Sequence, residues 1–189
     1  GSITLDPYLI AYDKSGNKHD VKGRWFNIAK HQQGPDSDAH ILSLEYQFQR
    51  EFKKKLVLTA GVFGQYFNVN SILFADPTTT SISDRALITG QSIAAYAQVD
   101  KKLWNRVSLS LGVRWEGYWV DTSFLAGPPI FRAGINIEAS RNDYIRLSFG
   151  QGFRVPSFGE LYINEPIPAS GSLPLGIFPN PQLKPETGW

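Results

Sequence analysis

A strict two-residue alternation runs through the segment Val107 to Val120 and constrains the fold more than any other feature. Val107, Leu109, Leu111, Val113, Trp115 and Trp119 fall on one side, with Gly117 among them. Ser108, Ser110, Gly112, Arg114, Glu116 and Tyr118 fall on the other. Since successive side chains of a strand point to opposite faces, this pattern predicts a long β-strand with one apolar and one polar face.

The same alternation recurs along the chain, whereas helical periodicity is scarce. We therefore predict an all-β chain of about eight strands. Their approximate positions are Ile3–Tyr12, Val21–Lys30, Leu42–Gln49, Leu56–Phe67, Ile93–Asp100, Val107–Val120, Phe131–Glu138 and Tyr144–Gly150.

Short and long connections alternate between these strands. The short polar ones are Asp13–His19, Arg50–Lys54, Lys102–Asn105 and Ser140–Asn142. The others, mostly longer and richer in Pro, Gly, Ser or Thr, are His31–Asp38, Val69–Thr89, Asp121–Pro129 and the stretch from Arg154 onward. An up-and-down membrane barrel has such tight turns at one end and long loops at the other. Alternation alone, however, does not distinguish a strand of a soluble sandwich from a strand of a membrane barrel.

Composition excludes several function classes. A net charge of +2 with dispersed Lys and Arg gives no basis for nucleic-acid binding. There is no cysteine, and His19, His31 and His40 are scattered, so we expect no metal site and no cofactor. No nucleophile elbow, dinucleotide fingerprint or phosphate loop is present, so we expect no catalytic residues and no enzyme activity. Loop carboxylates such as Glu160, Glu165 and Glu186 are expected to be solvated or structural.

Two motifs at the C-terminal end narrow the choice. Phe153-Arg154-Val155-Pro156-Ser157 follows the last predicted strand, and Asn180-Pro181-Gln182-Leu183-Lys184-Pro185-Glu186-Thr187-Gly188-Trp189 follows a Pro/Gly-rich stretch. Together they resemble the FRxPS and NPxLKPExxW motifs of TonB-dependent outer-membrane receptors. In that family the pair marks the end of one barrel strand, an outer loop and the start of the next strand. Because the next strand would begin at Trp189, we expect residues 1–189 to be part of a larger barrel.

The resemblance implies an antiparallel up-and-down transmembrane β-barrel, present here as an open curved sheet. It implies energy-coupled uptake, across the outer membrane, of a scarce nutrient such as an iron–siderophore chelate, cobalamin or a glycan. The implied partners are outer-membrane lipid, a small nutrient ligand, an N-terminal plug domain that this chain lacks, and the TonB energy-coupling protein acting through the plug. No His lies between Phe153 and Asn180, where haem receptors of the family commonly carry one.

In such a barrel the polar row must face the lumen, since Arg114 on the lipid side would cost roughly 2–4 kcal/mol near the midplane. The strand from Val107 then runs outward, with Trp104 near the inner interface and Trp115, Tyr118 and Trp119 near the outer one. We predict that the ligand meets lumenal and loop side chains near the outer end. These are Arg114, Glu116, Tyr118, Arg132, Phe124 and Phe158.

The motif residues are given structural roles. Pro156 ends the strand ladder because proline has no N–H to donate, and Pro181 and Pro185 keep the returning chain extended. Arg154 could reach into the lumen and contact an anionic ligand or pair with Glu186, but the favoured interpretation is structural: the motif fixes how the loop leaves the barrel wall. Phe153, Asn180 and Leu183 complete the motif set. A passive porin and a soluble secreted β-rich binding domain remain the alternatives; a soluble domain would need a sealed core and covered edges.

Overall fold

The computed structural model describes residues 1–30, 37–53, 55–71, 74, 86–104, 106–120, 123–163, 165–167, 175–177, 179–180 and 182–189. Ten strands form one antiparallel, curved and open sheet. They are β1 (Ser2–Leu5), β2 (Tyr8–Tyr12), β3 (Lys18–Lys30), β4 (Ser37–Phe52), β5 (Leu56–Ser71), β6 (Ala86–Leu103), β7 (Val107–Val120), β8 (Ser123–Ala126), β9 (Ile130–Glu138) and β10 (Tyr144–Gly150).

The ten strands occupy eight positions, in the order β1-β3-β4-β5-β6-β7-β9-β10. β1 and β2 both pair with β3 and form two halves of the first position. β8 and β9 likewise both pair with β7. The prediction of an all-β sheet with about eight strands is confirmed, and each position neighbours the next one in sequence.

Pro7 divides the first position. Leu5 pairs with Trp25 and Tyr8 with Lys22, so the register is the same on both sides of the break. The Pro7 carbonyl still accepts a hydrogen bond of 2.9 Å from the Gly23 amide, but proline has no N–H to return. The side chain of Asp6 instead accepts two hydrogen bonds from Arg24, of 2.8 and 3.0 Å.

The strands extend further than the alternation predicts. β4 begins at Ser37 and β6 at Ala86, inside the loops predicted at His31–Asp38 and Val69–Thr89. β8 forms inside the loop predicted at Asp121–Pro129. The ladder continues here because backbone pairing needs no apolar face, whereas alternation is visible only where one face is apolar.

One short turn shows how the sheet reverses. The Asp13 carboxylate accepts hydrogen bonds from the Asn17 side chain at 2.7 Å, the Asn17 amide at 2.9 Å and the Ser15 amide at 2.8 Å. The Asn17 side chain contributes most to holding the pKa of Asp13 at about 2. Gly16 supplies the left-handed conformation that this turn needs, with φ of 77°.

The two faces of the sheet differ sharply in exposure. The buried side chains on the described strands lie on a single face, which we call the inner face; they are Asp20, Ser71, Ile88, Ser92, Ala94 and Val120. Side chains crowd together on the concave side of a curved sheet, so this face is the concave one. On the opposite, outer face, large apolar side chains are exposed, and Leu111 is 62% exposed. No second layer covers that face in the described part of the chain.

Cross-strand register keeps the faces consistent from strand to strand. Leu44, Gly64 and Ile93 are direct partners on the outer face, and Gln47, Gly61, Tyr96 and Arg114 are direct partners on the inner face. The predicted apolar and polar rows of β7 therefore continue across its neighbours. Among the described residues, no helix has both the length and the apolar character that a membrane crossing requires.

The segment after β10 folds back over the inner face. β11 (Gly152–Arg154) pairs with β14 (Glu186–Gly188), and a one-turn helix, α1 (Phe158–Tyr162), lies between them in sequence. β12 (Glu165–Ile167) and β13 (Leu175–Ile177) form a small hairpin. Phe158 reaches the ring of Phe67 on β5 at 5.0 Å, so the segment after β10 extends from the edge of the sheet to β5.

Candidate functional site

A polar network runs across the inner face from β4 to β7. The Tyr96 hydroxyl lies 2.7 Å from Glu45 Oε1 and 3.0 Å from Gln47 Oε1, although β5 separates these strands. The Tyr96 ring passes over Gly61, where a Cβ would lie only 2.4 Å from Tyr96 Cζ. The absence of a side chain at Gly61 therefore opens this path between strands.

Three of the predicted ligand residues continue this network along β7. Arg114 Nε donates to Glu116 Oε2 at 3.0 Å, and the Tyr118 hydroxyl donates to Glu116 Oε1. The Arg114 guanidinium also lies 6.0 Å from the centre of the Tyr96 ring, a cation–π distance. Residues two apart on a strand share a face, which is why the three side chains meet.

A cavity of about 300 Å³ opens beside this network. Its lining includes Glu45, Gln47, Tyr96, Gln98, Arg114 and Arg132. Arg132 comes from β9, next to β7, because it pairs in register with Gly112. Its guanidinium makes no ion pair with the described residues, whereas that of Arg114 is paired with Glu116. The cavity thus combines an unpaired cation, a paired one and several hydrogen-bonding groups.

The two predicted loop residues lie away from this cavity. Phe124 is the direct partner of Trp119, and their ring centres are 4.6 Å apart on the outer face. Phe158 lies on the inner face, packed on Phe67, in the outward direction of β5 and β6 from Tyr96. The structure therefore places Arg114 and Arg132 on one cavity and joins Glu116 and Tyr118 to Arg114 along β7. It brings neither Phe124 nor Phe158 to that cavity.

The first motif is held by a double carboxylate clamp. Arg154 Nη1 and Nη2 donate to the two oxygens of Glu160 at 3.1 and 2.7 Å, and Arg154 Nε donates to Glu186 Oε2 at 3.4 Å. The pairing of Arg154 with Glu186 is thus present, and Glu160 adds a second partner. The Arg154 contact, followed by the Ser157 amide, holds the pKa of Glu160 at about 2.

Glu160 also caps α1, a role that the sequence reasoning missed. Ser157 Oγ accepts from the Glu160 amide at 3.3 Å, and Glu160 Oε2 accepts from the Ser157 amide at 2.7 Å. This is a capping box, and the spacing Ser157-x-x-Glu160 was the available signal. Glu160 therefore joins the helix start to the motif arginine.

The remaining motif residues stabilise the loop base. Phe153 packs against Tyr118, with ring centres 6.1 Å apart, and against Gly127, where a Cβ would lie 2.6 Å from the Phe153 ring. Pro156 is buried just after the ladder ends at Arg154. The side chain and carbonyl of Asn180 accept from the amides of Gln182 and Leu183, both at 3.3 Å.

The second motif ends in the small two-stranded sheet formed by β11 and β14. Pro185 is partly buried immediately before β14, which carries Glu186 to Arg154. Pro181 lies outside the described residues. No group of three or more His, Cys, Asp or Glu side chains within the described ranges is placed to hold a metal ion.

The fold and motif geometry agree with a comparison against protein families. The family model described as TonB dependent receptor-like, beta-barrel, matches residues 5–189. The chain belongs to this family. TonB-dependent receptors are outer-membrane transporters of Gram-negative bacteria, coupled to TonB through a plug domain. No curated protein matches the chain. In this receptor the outer face is accordingly the lipid-facing one, and the inner face borders the lumen.

Proposed function

We propose that this receptor takes up a scarce, bulky nutrient, such as an iron–siderophore chelate or cobalamin, and binds it at the extracellular mouth. Residues 1–189 supply part of the barrel wall, and the plug comes from another part of the receptor. The ligand is met first by side chains at the outer end of the inner face and then passes inward when TonB pulls on the plug.

The pair of arginines on one lumenal cavity is the observation that carries this proposal. Arg132 has no carboxylate partner among the described residues, and Arg114 shares its cavity of about 300 Å³. Guanidinium groups bind carboxylate or phosphate oxygens in a two-pronged manner. We assign ligand binding to Arg114, Arg132, Glu116 and Tyr118, with Phe158 bordering the site toward the mouth. Phe124 packs against Trp119 on the outer face, and we assign it a role in holding β8 against β7.

A second inner-face cavity fits contact with the plug. It has a volume of about 460 Å³ and lies near the short turns. Charged residues of both signs line it: Glu51, Asp100, Lys102 and Arg146. Asn136 also lines it, and its buried Oδ1 has no hydrogen-bond partner in the described structure. Buried acceptors are nearly always hydrogen-bonded, and a donor on the plug surface would pair with this one.

Binding to the full-length receptor tests the ligand assignment. The purified receptor would be titrated with a panel of ferric chelates and cobalamin, and then compared with the double variant Arg114→Gln/Arg132→Gln. Hydrogen bonds to charged groups are worth about 1.5–3 kcal/mol each, so the affinity for whichever compound binds should fall about tenfold or more.

Arg106→Gln serves as the matched control, because Arg106 lies at the start of β7, outside the cavity. An unchanged affinity in the double variant would refute the site, and a receptor that binds no member of the panel would refute the nutrient class.

A further inference from the structure

The lipid-facing surface is not uniform, because two glycines interrupt it near its outer end. Gly23 on β3 and Gly64 on β5 are both direct register partners of Leu44 on β4. The missing side chains leave a hollow on each side of Leu44. Together they form a furrow of about 530 Å³.

The furrow is almost entirely apolar. Its outer-face lining consists of Leu5, Pro7, Gly23, Trp25, Leu42, Leu44, Gly64 and Tyr66. The two hollows differ in depth. Nothing lies within 4 Å of the position that a Cβ would take on Gly64, whereas a Cβ on Gly23 would lie 2.9 Å from Pro7 Cγ. The deeper and freer part of the furrow is therefore on the β5 side, over Gly64.

Aromatic side chains border the furrow toward the mouth. Trp25, Leu42 and Tyr66 are direct partners in the next outer-face row, and Trp25 and Tyr66 are both exposed. Such rings favour the boundary between hydrocarbon and headgroups. The row beyond them carries Asn27, His40 and Asn68, again in direct register, with the exposed Ile3 beside Asn27. An apolar furrow thus leads into a row of hydrogen-bonding groups.

We propose that this furrow binds one acyl chain of an outer-leaflet lipid, whose phosphate-bearing headgroup is met by Asn27, His40 and Asn68. The membrane surrounds the furrow, so the furrow is continuous with the lipid-facing surface. Because lipid tails are as apolar as the protein surface, retention depends on close packing, and the hollow over Gly64 provides that packing. The lipid whose acyl chain lies in the furrow therefore stays bound longer than lipids on the rest of the outer face.

Filling the hollow tests this inference. The full-length receptor would be reconstituted in nanodiscs of phosphatidylethanolamine and phosphatidylglycerol, transferred to detergent and analysed by native mass spectrometry. The wild type should retain a lipid adduct, and Gly64→Leu should lose it. Ala95→Leu adds a side chain to the same face outside the furrow and should keep the adduct. Equal retention in Gly64→Leu and the wild type would overturn the proposal.

A second measurement covers the case in which Gly64→Leu folds poorly. Quenching of Trp25 by phosphatidylglycerol with brominated acyl chains, taken as the difference from Trp25→Phe, should weaken in Gly64→Ala and stay unchanged in Ala95→Leu. Unchanged quenching in Gly64→Ala would count against the furrow. If a second copy of the receptor occupies the furrow instead, light scattering of the wild type will give a dimer that Gly64→Leu converts to a monomer, and the lipid assignment then fails.

Discussion

The ring of Tyr96 lies directly over Gly61 and reaches across β5 to the carboxylate of Glu45. Two further aromatic–glycine pairs occur on the inner face or at its mouth. The Phe67 ring covers Gly90, and the Phe153 ring covers Gly127. Such pairs let large side chains lie flat along the barrel wall. These side chains therefore line the inner face without projecting far into the lumen.

A methyl group at Gly61 should destabilise the barrel. It would lie 2.4 Å from Tyr96 Cζ and 2.8 Å from the Tyr46 carbonyl oxygen, so the ring must leave and its bonds to Glu45 and Gln47 are lost. We expect Gly61→Ala to lower the free energy of unfolding by about 1–3 kcal/mol. Urea titration of the full-length receptor in lipid vesicles, followed by the heat-modifiable band shift, measures this. Gly64→Ala on the same strand should change stability little, and similar losses in both variants would contradict the explanation.

Reversing the polarity of the outer face should prevent insertion. Leu111 is exposed in the middle of the apolar row of β7, so Leu111→Arg should cost about 2–4 kcal/mol in a bilayer. Ser110→Arg is the matched control, because its side chain would face the lumen next to Asp100. Folding yields in vesicles distinguish the two variants. Equal yields would mean that the apolar row does not face lipid.

How much of the fold and of the candidate site could be predicted from the sequence depends on the kind of contact. Alternation correctly separated Arg114 and Arg132 from Leu111 and Trp115, because strand periodicity alone decides the face. The predicted loop position of Phe124 is wrong, because β8 extends the ladder of β7 and places Phe124 opposite Trp119.

The two-residue alternation does not predict contacts that depend on how far a side chain reaches. The path of Tyr96 across Gly61 depends on curvature and ring size, which periodicity does not encode. The inward fold of α1 onto Phe67 likewise joins residues far apart in sequence. The Ser157–Glu160 capping box, by contrast, has a recognisable local spacing.

Acid should release the mouth segment. The pKa of Glu160 lies at about 2 in the folded receptor, below its ordinary 4.5, so its ionised form is stabilised by folding. That stabilisation is complete above about pH 4.5 and is lost as the pH falls toward 2. At that point the Glu160 carboxylate is protonated and no longer forms an ion pair with Arg154. The protection of residues 154–163 against hydrogen exchange, corrected for the pH dependence of intrinsic amide exchange, should therefore fall across this window.

Glu160→Gln is the control for that titration, since it cannot ionise. Its segment should be less protected than that of the wild type at neutral pH and show no further loss of protection between pH 4.5 and 2. Arg154→Lys should behave similarly at neutral pH, because an ammonium cannot span both oxygens of Glu160. Wild-type protection that stays constant through the window would exclude the clamp as the element that holds α1.

Residues 1–189 alone should aggregate in water. The outer face exposes apolar side chains such as Leu44, Leu111 and Leu147, and β2 and β10 present unpaired edges within the described sheet. An exposed apolar face and free strand edges both promote association, and here they occur together. Gel filtration without detergent should give material in the void volume, whereas a suitable detergent should recover dispersed protein by covering the apolar face. A sharp monomer peak without detergent would mean that these leucines are shielded from water by the chain itself.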